Sequence, residues 1–177
     1  MPRLLYAALL ALTFVIPALL VPAAAIAATP EHAGLFNGAE INWRDPRSGI
    51  YEASTSGKPV IMVMHATWCP SCKRYRAVFN DPAIVAASKD FVMILVDVDK
   101  EKQINGAFSP DGTYVPRTLF IDADGDVSTK FVGRDPQYPH TIDVDKPDEL
   151  LALMLKAKAS GFGAPTKSDA PQKEGRT

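Results

Sequence analysis

The sequence predicts an α/β fold in which a central mixed β-sheet is flanked by helices. Three observations point to it. Two apolar runs, 59–64 and 91–97, enclose a stretch punctuated as helix, which gives a strand, helix, strand order. Two further short runs, 118–122 and 127–132, flank Asp124-Gly125 and read as a β-hairpin. About 150 residues remain once an N-terminal leader is set aside, enough for one well-packed core.

Residues 1–27 read as an export signal, with Arg3 in a short basic start, an apolar stretch from Leu4 to Val21, and Ala25-Ile26-Ala27 as a small-x-small cleavage site. Pro17, Pro22 and the alanines favour cleavage over retention as a membrane helix, so a membrane enters only if the segment stays attached. Removing it takes away Arg3 and no acid, leaving 18 basic against 20 acidic residues and a formal charge of −2. That balance gives no reason to expect a nucleic-acid partner. Residues 28–41 form a lead segment, 42–159 the domain, and 160–177 a Gly-, Pro-, Ser- and charge-rich tail expected to be disordered. The tail has no K-D-E-L-like ending, which argues against retention in the endoplasmic reticulum and predicts a periplasmic or secreted protein.

Within the domain, Asp45-Pro46 opens a helix with Ile50, Ala53 and Ser54 as a weak inward face and Gly57 as its stop. After the first strand, Pro70 starts a helix to about Phe79. Asn80-Asp81-Pro82 breaks it and caps a short second segment to Ser88. Residues 100–108 read as a brief helix and 109–112 as a turn. Residues 148–158 close the domain as an amphipathic helix with Leu150, Leu151, Leu153, Met154 and Leu155 as its buried stripe.

Both cysteines of the chain fall in Trp68-Cys69-Pro70-Ser71-Cys72-Lys73, at the end of the first strand. A structural zinc site needs four ligands and usually a second cysteine pair, whereas the other candidates here are only His32, His65 and His140. A c-type haem would need His where Lys73 stands. A purely structural disulfide across two residues closes too small a loop to stabilise much. A redox dithiol fits the spacing and the place. Cys69 falls at a helix start, where unpaired N–H groups and the helix dipole favour a thiolate, and Cys72 falls one turn in, shielded. Cys69 is then the attacking sulfur and Cys72 the resolving one. Pro70 and Ser71 tune the dithiol, since Ser71 offers a hydroxyl and an N–H and Pro70 has no N–H.

The order of elements around W-C-P-S-C-K resembles the thioredoxin superfamily, which implies a thioredoxin fold and thiol-disulfide exchange. More closely, that motif together with Phe108-Ser109-Pro110-Asp111-Gly112-Thr113-Tyr114-Val115-Pro116-Arg117 is similar to the small exported and lumenal thioredoxin-domain proteins of the anterior gradient type. The resemblance runs from Asn42-Trp43-Arg44 to about Lys158. It implies that Pro116 follows a cis peptide bond and faces the dithiol, that Val115 presents backbone groups to a client, and that Trp68 covers one side of the cysteines. A groove around Val115, Pro116, Arg117 and Gly133 would take an extended client. The implied partners are client proteins bearing thiols or disulfides and a redox partner protein. No cofactor or metal is expected.

Two departures matter. Many thioredoxins pair a buried acid six residues before the first cysteine with a Lys on the neighbouring strand, and here those places hold Val63 and Leu95. His65 shares the strand face of Val63 and offers a titrating group nearer the dithiol, or is a packed strand histidine. Asp99 matches an acid near the dithiol in thioredoxins, or is a strand-end charge. Two other functions stay open. One is a peptide-binding, chaperone-like module with little redox turnover, and the other is copper handling by Cys69, Cys72 and His65.

Overall fold

Four strands form the sheet of the computed structural model, which describes residues 29–163. They are β1 (Trp43–Arg44), β2 (Val60–His65), β3 (Val92–Asp97) and β4 (Arg117–Ile121), in the spatial order β1-β3-β2-β4. β1 and β2 run parallel to β3, whereas β4 lies antiparallel along the free side of β2. The sheet is therefore mixed. The expected export signal at 1–27 and the tail beyond Gly163 lie outside the described residues.

β2 is buried along its whole length, and the two-residue period of a strand divides its side chains between the faces of the sheet. Ile61 and Val63 join Phe36, Trp43, Tyr75, Phe79 and Phe120 in one cluster. Val60, Met62 and Met64 join Cys69, Cys72, Ile94 and Leu119 in the other.

The helices are α1 (Pro46–Ser56), α2 (Pro70–Tyr75), α3 (Pro82–Ser88), α4 (Lys102–Ala107) and α5 (Asp148–Ala159). Local chemistry starts three of them with proline in the first turn, where no N–H is lost. Asp45 caps α1 by accepting from the Arg47 and Ser48 N–H groups, and Asp81 caps α3 through Ala83 and Ile84. Gly57 ends α1 in the left-handed region at φ 68°.

Five expectations change. The inward face of α1 is Pro46, Gly49 and Ala53, while Ile50 and Ser54 point outward. α1 lies so close to β3 that a Cβ at Gly49 would run into the Ile94 side chain, so only glycine fits the closest approach. α2 stops at Tyr75 and tightens into a 3₁₀ turn, Arg76–Asn80, that drives both Val78 and Phe79 into the core. The second hairpin arm makes only a bridge from Val127 to Ile121 and a bond from Ser128 N–H to the Phe120 carbonyl. Beyond it the chain leaves the sheet so that Phe131 can pack on Phe120 and Phe162. On α5, Leu150, Met154 and Ala157 are buried and Leu155 is half exposed. Finally, the packed unit outruns 42–159: Ala33, Phe36 and Ile41 of the lead segment are core residues, and Phe162 folds back beneath Phe131.

The two glycines Gly49 and Gly106 give opposite expectations. Gly49→Ala should destabilise by about 1–3 kcal/mol through the overlap with Ile94. In α4 a Cβ at Gly106 meets nothing within 4 Å, so Gly106→Ala should stabilise by about 0.5–1 kcal/mol. Urea unfolding of both variants beside the parent checks the pair.

Candidate active site

β2 delivers the chain to the dithiol. Four residues after its last residue, Cys69 serves as the N-cap of α2, and its Sγ accepts the Cys72 N–H at 3.1 Å. Pro70 occupies the first helical position and Ser71 is half-buried. Both sulfurs are free thiols. Exposure barely separates them, at 4% for Cys69 and 0% for Cys72. Burial first, then the hydrogen bond and charge of Cys69, hold the Cys72 thiol well above the ordinary cysteine range.

The Val115-Pro116 peptide bond is cis. Its loop faces the dithiol, with the Cys69 thiol donating to the Val115 carbonyl at 3.6 Å. The Thr141 hydroxyl donates to the Pro116 carbonyl at 3.0 Å. Gly133 meets the same 139–141 segment, donating its N–H to the Pro139 carbonyl at 2.6 Å, and a Cβ there would strike the Thr141 carbonyl. Val115 is thus set against Cys69 with Pro116 next to it, while Gly133 reaches this loop through the 139–141 segment. Arg117 is not on that surface. It is fully buried, because its guanidinium is drawn inward by the carbonyls of Phe108 at 2.8 Å and Gly112 at 2.6 Å, by Asn105, and by the Met64 sulfur. A side chain so buried, its Nε included, has no exposed donor to offer a client.

Trp68 is 63% exposed and its Nε1–H donates to Asp99 Oδ2 at 2.9 Å. Asp99, which the sequence offered either as an acid near the dithiol or as a strand-end charge, anchors the indole of Trp68.

A thioredoxin-like family model matches residues 42–123. The chain is 32% identical over 124 residues to anterior gradient protein 3 of Xenopus tropicalis, covering 68% of this chain and 73% of that one. It is 31% identical over 124 residues to the anterior gradient protein 2 homolog of Homo sapiens, covering 68% and 67%. It belongs to the thioredoxin superfamily, among the anterior-gradient-like proteins. A thioredoxin from Thermus thermophilus shares the fold, with a TM-score of 0.54, 20% identity, and 69% and 90% of the two chains covered.

In this thioredoxin-like domain Val63 and Leu95 stand directly opposite each other in the parallel register of β2 and β3, both buried. The place of an acid and its Lys is filled by packed hydrocarbon. His65 lies two residues on, paired with Asp97. Its ring sits 4.8 Å from the Phe36 ring and 5.3 Å from His32, in the aromatic cluster on the Ile61 and Val63 face, whereas the cysteines belong to the cluster on the other face. Both ring nitrogens are buried without a hydrogen bond. Among the described residues no group of three His, Cys, Asp or Glu side chains is placed to hold a metal, so Cys69, Cys72 and His65 do not assemble into a copper site.

Burial pulls the His65 pKa down from 6.5 to about 4, with His32 and Arg76 adding to the shift and Asp97 opposing it. The folded protein thus keeps His65 neutral while the unfolded chain protonates it. Stability is complete above pH 6.5 and is lost as the pH falls from there towards 4, by on the order of 3 kcal/mol. His65→Leu should remove that share of acid sensitivity. The check is urea unfolding of both proteins at pH 7 and pH 4.5.

Proposed function

We propose that this chain is a thiol-disulfide oxidoreductase that exchanges disulfides with exported protein clients through Cys69 and Cys72. One observation carries the reading: Cys69 caps a helix that follows a strand, and its sulfur lies against the Val115 carbonyl of a cis-proline loop. In the reducing direction the Cys69 thiolate attacks one client sulfur, and the other client sulfur leaves as a thiolate and takes a proton. The mixed disulfide so formed is then attacked by Cys72, which gives up its proton and displaces the remaining client thiolate. The client gains two electrons, and the domain is left with a Cys69–Cys72 disulfide that a redox partner protein must reduce. The oxidising direction is the same sequence run backwards.

Within this proposal, Val115 and the Pro116 and Gly133 backbone form the docking edge for an extended client segment. Trp68 supplies an exposed aromatic wall, and Pro70 and Ser71 set how the Cys69 thiolate is hydrogen-bonded. The work is assigned to a periplasmic or secreted protein, where disulfide chemistry operates.

Cys69→Ser should abolish insulin disulfide reduction, while Cys72→Ser should accumulate mixed disulfides with its client, visible as bands that disappear under reduction. Loss of trapping in Cys72→Ser, or labelling of Cys72 ahead of Cys69 by an alkylating reagent, would reverse the assignment. Client binding that survives in Cys69→Ser, beside a wild-type protein without turnover, would favour the peptide-holding module.

A further inference from the structure

Three polar side chains of the 108–117 loop, Asp111, Tyr114 and Arg117, are bonded inward, to one another, to His140 and to backbone. The Tyr114 hydroxyl donates to Asp111 and accepts the His140 N–H at 3.0 Å. The other Asp111 oxygen meets His140 Nδ1 at 2.9 Å. The Arg117 guanidinium holds the Phe108 and Gly112 carbonyls and stands 5.9 Å from the centre of the Tyr114 ring. His140 in turn accepts the Thr118 N–H through its carbonyl at 2.8 Å.

Burying these groups is costly. Arg117 is 0% exposed and has no carboxylate hydrogen-bonded to it, and His140 is 4% exposed with Nε2 unbonded. Hydrocarbon would fill the same space with less desolvation. What the polar groups provide is direction. Tyr114 is fixed on one side of Val115, and Pro116 and Arg117 are fixed on the other. The peptide between them therefore cannot swing its carbonyl away from Cys69.

We infer that Asp111, Tyr114, Arg117 and His140 are positioning residues that hold the Val115 carbonyl against Cys69, and so set both client docking and the balance between dithiol and disulfide. The inference rests on the dithiol function proposed above. The bond from the Cys69 thiol to the Val115 carbonyl exists only in the reduced protein, because the disulfide has no S–H. Loosening the loop therefore favours the disulfide.

Tyr114→Phe removes one hydroxyl and keeps the ring. Equilibrated with glutathione, whose disulfide accepts the two electrons and two protons of the dithiol, it should lie about threefold further towards the protein disulfide than the parent. With insulin as the client, KM should rise about tenfold while kcat stays within about twofold. Thr141→Val, which frees the Pro116 carbonyl, gives the same pattern and serves if Tyr114→Phe does not fold. A folded variant with a lower melting temperature but unchanged equilibrium and KM would overturn the inference and leave the network a brace. If the parent equilibrates with glutathione yet leaves insulin intact, the proposed function falls, and the glutathione shift alone decides the positioning role.

Discussion

The buried register of β2 between β3 and β4 is the constraint on which the rest of the molecule depends. Every residue of the strand is covered, so a slip of one position would exchange the two faces of the sheet and send Met62 and Met64 where Ile61 and Val63 belong. The same register sets His65 opposite Asp97 at the strand end and fixes where the chain turns into α2. Cys69 and Cys72 thus inherit their place from hydrophobic packing several residues upstream. Their chemistry is local, but their position is a property of the whole core.

Charge within that core is concentrated at the cis-proline loop. Elsewhere the buried residues are overwhelmingly apolar, and even the position that could hold a carboxylate and its Lys holds Val63 against Leu95. A dithiol in this setting has a resolving thiol that burial disfavours as an anion, with Val63 and Leu95 at the place where many thioredoxins pair an acid with a Lys. The domain departs from the thioredoxin pattern by holding hydrocarbon, Val63 against Leu95, in place of a polar pair, and it carries a polar network in the loop beside Cys69.

What could be read from the sequence was what local chemistry dictates. Asp45-Pro46 and Asp81-Pro82 place their helices because a carboxylate cap and a proline act within one turn, and Gly57 ends α1 by conformation alone. The cysteine pair, the cis bond at Pro116 and the loss of the buried relay were legible because each is carried by a motif or a fixed spacing. Tertiary contacts decided the rest. Ile50 and Leu155 look like core residues in a linear pattern, but Gly49 and Ala157 are what the packing distance admits. Arg117 reads as a surface charge beside a binding loop until its carbonyl partners are known. His140, 29 residues beyond Asp111, carries no local signal of their pairing.

The two ends of the described residues lie at opposite poles of the domain. Gly163 closes against Pro59, at the beginning of β2, whereas His32 bonds Asp97 at the strand ends next to the cysteines. Six residues of strand, about 20 Å, separate these poles. A tether fixed to the N-terminal side would therefore hold the dithiol close to whatever it is anchored to, and within reach of only what passes along that surface. One fixed to the C-terminal side would turn the reactive end outward. The direction in which this molecule can present its sulfurs is decided by which end is held.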